Sequence, residues 1–474
     1  MKTYANGSHA LVIGGSMAGL LAARVLTGHF DRVTIIERDR LPATAEFRKG
    51  VPQAHHVHIL LARGQQILDH LFPDLKDQLL TAGAIPVDLG EDAAVLTRGG
   101  WSPRYHSGIG AYAASRPLLE WSIQQRLAAH PKVRFVEGAE AKELLCDDHR
   151  SRVTGVRVHW RGQSRDESFH ANLVVDASGR SSDAPEWLER LGYPRPQETV
   201  VNSFLGYSTR WYRRPAGFQA QWKLLLIGTR PPRTARGGVI FPVEGDRWVV
   251  TLGGAARDYP PTDETGFMAF ARSLTSPLLY EAIQDAEPLT PIYGYQRTAN
   301  QLRHYERLER WPEQFVLLGD AVCAFNPVYG QGMSVAAMGA LALDECLREF
   351  RPNRTGMAQV FQKRLAQVNE TPWLLATGED FRYPETEGGK RTWVTRLIHW
   401  YVDQMLLAIP NHQDVADTFL KVSHLVEPSS ALFQPRIVRK ALGRALRQLS
   451  PNGSGQDTVT LPPHWQTEQK VSTF

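Results

Sequence analysis

The sequence is poor in cysteine, because its 474 residues include only Cys146, Cys323 and Cys346. No two of them have the Cys-x-x-Cys spacing of metal and redox sites, and an odd number cannot all pair, so we expect free thiols in a reducing compartment. Long apolar runs are also lacking, since small residues at 14–16 and Gly19 interrupt the apolar stretch at 10–26. That stretch is too short for a membrane span. These absences predict a cytoplasmic protein.

An excess of one charge is lacking as well. The 54 Lys and Arg residues nearly balance 49 Asp and Glu residues, the net charge is +5, and no basic run is interleaved with aromatic residues. Nucleic acid is therefore not an expected partner. His55, His56 and His58 lie close together, but no cysteine or carboxylate completes a set of metal ligands with them. We therefore expect no metal site.

The most informative feature that is present is a glycine-rich turn near the start. Residues 10–13 form an apolar strand, residues 14–19 read GGSMAG, a helical apolar pattern follows, and residues 32–36 form a second strand. Such a turn presents backbone N–H groups at a helix N-terminus, which suits a pyrophosphate. Glu37 follows 18 residues after Gly19, where a carboxylate can accept the hydroxyls of an adenosine ribose. The stretch predicts dinucleotide binding, with an ordinary β-α-β turn as the alternative.

A second turn follows the apolar strand at 172–175. Asp176, two small residues and Gly179 end this strand, so the chain can turn tightly there against a cofactor. Arg116 begins a helical segment and is well placed for phosphate or ribityl oxygens, although solvent exposure is the commoner fate of a lone arginine.

A third turn follows the apolar strand at 315–318. Gly319 and Asp320 end this strand, Pro327, Gly330 and Gly332 punctuate the turn, and a long apolar helix comes next. The N-terminus of that helix therefore faces whatever Asp320 contacts.

The three turns in combination resemble a known family. The N-terminal turn, D-x-x-G at 176–179 and G-D at 319–320 followed by P-x-x-G-x-G at 327–332 are similar to the group A flavoprotein monooxygenases, which have the para-hydroxybenzoate hydroxylase fold. Residues 332–336 resemble squalene epoxidase, and residues 48–53 resemble bacterial polyether (polyene) epoxidases. The resemblance covers residues 8–385.

This resemblance implies noncovalent FAD and a set of residues around it. Asp320 would bind ribityl hydroxyls, and backbone N–H groups of Gly332 and Met333 would face the pyrimidine edge, where reduced flavin carries negative charge. Catalytic residues stay unknown, with Pro327, Gly332 and Arg48 expected near the flavin ring. The implied cofactor residues are Gly14, Ser16, Gly19, Glu37, Arg38, Arg48, Arg116, Asp176, Gly179, Asp320, Gly330, Gly332 and Met333.

The predicted fold is α/β, with a Rossmann-type FAD-binding domain, an inserted antiparallel β-sheet substrate domain and a helical C-terminal region. Tryptophans in the inserted sheet either wall an apolar pocket or fill the core of the sheet, and the sequence does not decide between the two. The predicted ranges are 1–75, 100–185 and 296–350 for the FAD-binding domain, 76–99 and 186–295 for the substrate domain, 351–450 for the helical region, and 451–474 for a flexible tail.

The resemblance also implies an activity. A flavin C4a-hydroperoxide would pass one oxygen atom from O2 to a lipophilic substrate, and we expect an alkene that becomes an epoxide in secondary metabolism. Electrons would come from NAD(P)H or from a partner flavin reductase. The alternatives are a hydroxylase of the same family, a flavin-dependent prenyl (geranylgeranyl-type) reductase, and a flavin-binding redox partner without turnover. Flavin halogenation is disfavoured because no W-x-W-x-I-P element occurs.

The C-terminal part contains a basic amphipathic segment at 436–447, in which apolar residues alternate with arginines and a lysine. Such a helix either lies on a membrane surface, which would suit a lipophilic substrate, or packs on its own domain with solvated arginines. Peripheral membrane contact through this helix is therefore one expectation.

Overall fold

The computed structural model describes residues 7–350, 355–389 and 391–448. The strands are β1 (His9–Ile13), β2 (Arg32–Glu37), β3 (Ile85–Asp88), β4 (Ala93–Thr97), β5 (Gly100–Trp101), β6 (Gly110–Ala113), β7 (Val133–Glu137), β8 (Ala139–Cys146), β9 (Val153–Trp160), β10 (Asp166–His170), β11 (Leu173–Asp176), β12 (Glu198–Val201), β13 (Gly206–Arg213), β14 (Leu224–Ile227), β15 (Arg236–Val243), β16 (Arg247–Gly254), β17 (Tyr293–Tyr295), β18 (Asn300–Arg303), β19 (Phe315–Leu317) and β20 (Cys323–Ala324). The helices are α1 (Met17–Leu26), α2 (Ala62–Leu71), α3 (Leu75–Thr81), α4 (Arg116–Ala128), α5 (Ala184–Arg190), α6 (Glu264–Arg272), α7 (Leu278–Ile283), α8 (Gly332–Glu349), α9 (Met357–Asp380), α10 (Trp393–Ala408), α11 (Gln413–Ser423) and α12 (Pro435–Gln448).

The chain forms two compact units. The first unit consists of Met1–Thr81, Ser115–Asn202 and Thr298–Thr377, and the second of Ala82–Ala114, Ser203–Arg297 and Gly378–Phe474. The predicted domain ranges describe functional domains, a cofactor domain and a substrate domain, and stay a prediction beside this division into compact units.

A parallel sheet organises the first unit. Its strand order is β19-β11-β1-β2-β7, and its central strands are short apolar runs buried on both faces, as parallel strands require. Ile13 lies beside Asp176, and Asp176 lies beside Leu317, so β1, β11 and β19 end at the same level. Because the strands are parallel, their carboxyl ends share one edge. The three turns singled out in the sequence therefore meet at that edge.

The second unit is built on a seven-stranded sheet, with order β17-β13-β16-β15-β14-β4-β5. Its pairs are antiparallel except for the parallel pair of β14 and β4. Trp222 and Trp248 lie in its buried core, with the Phe218 ring packed edge-on against both indoles. These two tryptophans therefore fill the core of the sheet.

Helices α10, α11 and α12 pack together in the second unit. Ile437 and Ala441 on α12 are fully buried in this helical cluster, and Val438 packs against it. The apolar face expected to contact a membrane is thus covered by protein at these positions, and membrane contact stays a prediction. Across the described ranges, no helix is long and apolar enough to cross a bilayer. The predicted tail at 451–474 lies outside the described residues.

Candidate cofactor site

The turn between β1 and α1 leaves no room for side chains at two of its glycines. Gly14 has φ of 101°, and a Cβ there would lie 2.5 Å from the Ala177 carbonyl oxygen. A Cβ on Gly19 would lie 1.8 Å from the Gly14 carbonyl oxygen. The turn is held to β2 by the Gly14 N–H, which donates to the Ile36 carbonyl over 2.8 Å. Glycine at both positions therefore lets the chain turn closely against its neighbours.

Helix α1 presents its N-terminus at this turn. The first intrahelical bond is donated by Leu20 N–H to the Ser16 carbonyl over 2.9 Å. The N–H groups of the preceding first turn, at 17–19, lie ahead of that bond and point toward the helix N-terminus. Unpaired donors and the positive end of the helix dipole make such a position suitable for a phosphate group.

Two arginines and Glu120 lie directly against the turn. Ser115 caps α4 by accepting from Leu118 N–H over 3.2 Å, which places Arg116 in the first helical turn. Arg116 Nη2 contacts Ser16 Oγ at 2.9 Å and Glu120 Oε2 at 2.8 Å. Arg48 Nη2 contacts Glu120 Oε1 at 2.7 Å and donates to the Gly15 carbonyl over 3.3 Å. The predicted residues Ser16, Arg48 and Arg116 are thus brought together.

Glu37 lies at the same edge but is engaged by the protein. Its Oε2 accepts from Gly15 N–H over 2.7 Å, and its Oε1 accepts from Asp39 N–H over 2.9 Å. Arg48 Nη1 lies 3.2 Å from Glu37 Oε2. The next residue, Arg38, is exposed and reaches only the Gly50 carbonyl, at 3.5 Å, so the structure does not bring its side chain into the group.

The Asp176 carboxylate is used inside its own turn. It is fully buried, accepts from Ser178 N–H over 2.9 Å and from the Ser182 hydroxyl over 2.5 Å, and burial raises its pKa. Gly179 has φ of 88° and open space around its Cβ position. These contacts explain why an aspartate and a glycine end β11, and the predicted cofactor role of the pair stays a prediction.

The third turn, which leads to Gly332, has space for an added Cβ at that glycine, whereas the first turn has no such space at Gly14 and Gly19. Asp320 is accessible to solvent, yet protein atoms surround its carboxyl, and this burial raises its pKa against the opposing effect of Arg180 and Arg116. A Cβ on Gly332 would meet only Asp320 Oδ1, at 4.0 Å. Gly330 has φ of 64°, so the turn needs glycine there for its backbone conformation.

The N-terminus of α8 has both buried and exposed residues beside it. Met333 is buried, Pro327 is exposed, and the buried side-chain oxygen of Gln331 has no hydrogen-bond partner in the described structure. Cys323 is buried next to this turn, and burial raises the pKa of its thiol well above the usual value, so it is protonated at neutral pH. Cys323 is therefore a packing residue, as its sequence context indicates.

Sequence reasoning missed Glu120 and His58. Glu120 follows Arg116 at the i,i+4 spacing of a helical ion pair, which was the available signal. His58 was weighed only as a metal ligand, and the described residues contain no group of metal-binding side chains. Burial, together with the positive charge of Arg116, lowers the pKa of His58 to about 3. His58 is therefore neutral. The next residue, Ile59, lies 3.6 Å from the position that a Cβ on Gly330 would take.

These features fit FAD. The closed turn has helix N–H donors and two guanidiniums beside it, the Asp320 carboxylate is exposed near Gly332, and a buried amide oxygen at the start of α8 lacks a hydrogen-bond partner in the described structure. All of these groups belong to the first unit.

Comparisons with known proteins agree with this geometry. A model of the FAD binding domain family matches residues 8–352. Protein Rv3254 of Mycobacterium tuberculosis (strain ATCC 25618 / H37Rv) is 32% identical over 450 residues, which cover 93% of this chain and 94% of that protein. Kynurenine 3-monooxygenase of Salinispora tropica is 25% identical over 373 residues, covering 73% and 74%. The structure of the flavin-dependent brominase Bmp2 shares the fold, with a TM-score of 0.62 and 14% identity over 93% of this chain and 100% of that chain. The chain therefore belongs to the FAD binding domain family, among the FAD-dependent monooxygenases.

Proposed function

We propose that this protein epoxidises a carbon–carbon double bond in a lipophilic substrate. The observation that carries this proposal is the chemistry of the groups around the open turn. The charges of Arg180 and Arg116 act on the Asp320 carboxyl, the Cys323 thiol is protonated at neutral pH, and His58, with a pKa of about 3, is a weak base. An alkene needs no deprotonation before it accepts oxygen, whereas hydroxylation of a phenol is assisted by a base.

FAD, when bound, supplies the two-electron activation of O2 that leaves one oxygen atom for the substrate and one for water. The balance requires two electrons and two protons. We assign both electrons and one proton to NAD(P)H, used directly or through a partner flavin reductase, and the second proton to solvent. The chain's own groups position the cofactor. We assign the pyrophosphate to the N–H groups around Ser16 and Gly19, the adenosine ribose to Glu37, and the ribityl hydroxyls to Asp320.

The N-terminus of α8 has a separate role in this proposal. Backbone N–H groups of Gly332 and Met333 face the pyrimidine edge of the flavin, where the positive end of the helix dipole favours negative charge. Open space beside Gly332 allows a planar ring to approach the backbone there. The sequence resemblance of residues 332–336 to squalene epoxidase motivates the same assignment.

Hydroxylation is the second candidate. The Salinispora tropica relative, which is 25% identical, is named as a monooxygenase and not as an epoxidase, which keeps this alternative open. The two candidates share the cofactor and the source of oxygen, so they differ only in the bond that receives the oxygen atom.

The test is turnover of a lipophilic alkene under ¹⁸O2 with NADPH and a flavin reductase, followed by mass spectrometry. We expect one heavy oxygen in the product, within an epoxide ring. A heavy oxygen in a hydroxyl group supports hydroxylation, and a product that gains hydrogen without heavy oxygen supports a prenyl reductase. Reduced FAD that reacts with O2 but never oxidises any alkene would instead indicate a redox partner. Free reduced FAD without protein is the control.

A further inference from the structure

Two guanidiniums and three carboxylates are packed together at the closed turn. Arg48 contacts Glu37, Asp39 and Glu120, and Arg116 contacts Glu120. The exposed fraction of these five side chains lies between 5% and 9%. Asp39 has a further partner at the edge of this group, since Nη1 of the half-exposed Arg161 lies 3.8 Å from Asp39 Oδ1. The arginines and carboxylates therefore satisfy one another.

Glu120 is at the centre of this group. Its Oε1 accepts from Arg48 Nε over 3.1 Å and from Nη2 over 2.7 Å. Its Oε2 accepts from Arg116 Nε over 2.9 Å, from Nη2 over 2.8 Å and from the Ser16 hydroxyl over 2.9 Å. Gln124 Nε2 lies 3.5 Å from Oε1. A single carboxylate therefore holds both arginines, and the hydroxyl of the turn, at the N-terminus of α1.

A pyrophosphate that enters this region brings two further negative charges into a buried site that already holds three carboxylates. Guanidinium groups bind phosphate as well as carboxylate in the two-pronged geometry seen here, so phosphate and Glu120 compete for them. An ionised carboxylate that loses its partners while buried is strongly destabilised, and a buried acid relieves that cost by taking up a proton.

We propose that Glu120 is a positioning residue that holds Arg48 and Arg116 at the turn in the cofactor-free protein and takes up a proton when the pyrophosphate of FAD replaces it on these guanidiniums. FAD binding is then coupled to uptake of one proton. This coupling depends on FAD binding alone and not on which substrate is oxidised, so its failure is distinguishable from failure of the epoxidase proposal.

The groups that face Glu120 support this assignment. They are Arg116 and Gln124 on α4, Ser16 on the turn, and Arg48 with Glu37 and Asp39 around it. Burial raises the pKa of Glu120, but Arg116 and Arg48 outweigh burial and lower it, so Glu120 starts ionised. His58 is neutral before FAD binds, with a pKa of about 3. The charges of Arg116 and Glu120 both act on this pKa, so His58 is the competing proton acceptor.

The direction of the pH dependence follows from these states. A group whose pKa rises on binding makes the affinity highest at low pH, and the affinity falls as the pH rises between the free and the bound pKa. We therefore expect the Kd for FAD to rise by up to about tenfold per pH unit in the window between these two values. Titration calorimetry in buffers of different ionisation enthalpy should show uptake of one proton per FAD.

Glu120→Gln keeps the shape and removes the charge. This variant should lose the proton uptake and the pH dependence, and at the high end of the range it should bind FAD more tightly than the wild type. Glu46→Gln is the matched control. Glu46 is an exposed carboxylate that lines a cavity together with Arg48, Arg116 and Glu120. This variant should leave proton uptake unchanged.

Three results would overturn the proposal. They are wild-type binding without proton exchange between pH 6 and pH 9, full proton uptake in Glu120→Gln, and proton uptake that persists in Glu120→Gln but disappears in His58→Asn. A Glu120→Gln variant that weakens FAD binding at every pH while keeping wild-type proton uptake has a purely structural defect and also contradicts it. If Glu120→Gln does not fold, proton uptake is compared between the wild type and His58→Asn. Uptake that persists in His58→Asn supports Glu120 as the acceptor, and uptake that disappears there overturns the proposal.

Discussion

A methyl group has no room at the turn around residues 14–19, whereas it fits at the start of α8. A Cβ on Gly19 would lie 1.8 Å from a backbone oxygen, while a Cβ on Gly332 meets only Asp320 Oδ1, at 4.0 Å. The two regions also differ in how well the hydrogen-bonding capacity of their polar side chains is satisfied. Arg48, Arg116 and Glu120 are paired with one another at the first turn, but the Gln331 side-chain oxygen at the second has no partner in the described structure.

This difference separates two ways of preparing a cofactor site. The first turn, to which we assign the phosphates, is closely packed and its polar groups are paired, so a ligand must displace existing contacts. The start of α8, to which we assign the flavin ring, has open space and an unpaired amide oxygen, so a ligand would add contacts there. Substitutions at the first end should therefore damage the free protein, and substitutions at the second should damage mainly the bound state.

The largest effect is expected for Gly19→Ala. The added methyl group collides with backbone, which cannot move without breaking the packing of β1 on α1, so the free energy of unfolding should fall by more than about 3 kcal/mol. Denaturant unfolding of the cofactor-free protein measures this change, and the flavin content after purification should be near zero. A Gly19→Ala protein with normal stability and full flavin content would show that the turn is looser than described.

A smaller effect is expected for Arg116→Ala. Glu120 would lose one of its two guanidinium partners while staying buried, and because Arg48 remains, we expect a loss of about 2 to 3 kcal/mol of stability. Arg116→Lys should restore part of this loss, because it keeps the charge but not the two-pronged geometry. Thermal unfolding of both variants without FAD is the measurement, and equal destabilisation by Ala and Lys would contradict a role for charge.

Asp320→Asn should affect the bound and free states in opposite directions. The variant should weaken FAD binding by about 1 to 3 kcal/mol, since a charged acceptor is lost from a hydrogen-bonded site. Fluorescence titration of the cofactor-free protein measures the affinity. Unchanged affinity would mean that the ribityl assignment is wrong.

The free protein should respond to the same variant with a gain. Burial raises the pKa of the Asp320 carboxyl above its usual range, so the ionised form costs stability. This cost appears as the pH rises through the unfolded-state pKa and is complete above the folded-state pKa. Asp320→Asn should therefore raise the melting temperature of the cofactor-free protein at pH 7, and the gain should shrink toward pH 4.

The smallest effect on the free protein is expected at Gly332. Gly332→Ala should change the free energy of unfolding by less than about 0.5 kcal/mol, because the Cβ position is open. Gly332→Val should fold as well, yet crowd the flavin edge and raise the amount of hydrogen peroxide released per NADPH consumed. Peroxide assays beside product analysis measure this coupling. Normal coupling in Gly332→Val would place the flavin elsewhere.

Local sequence was enough to predict the elements that carry the site. The strand, glycine turn and helix at 10–26 have a period and composition that few other structures share, and the same holds for the buried strands before Asp176 and Asp320. Because parallel strands end at one edge, these turns could also be expected to meet. The α/β fold and the family were predictable for this reason.

Only the tertiary structure decided how the charged side chains are used. Arg116 and Glu120 pair at a local i,i+4 spacing, but Arg48 is 72 residues from Glu120, and its pairing depends on α4 packing against the turn, which no local pattern encodes. The same is true of Trp222 and Trp248, which lie in one core with residues of α6 and α7. Sequence periodicity reports which side of an element is buried, but the partner across the interface is set by long-range packing.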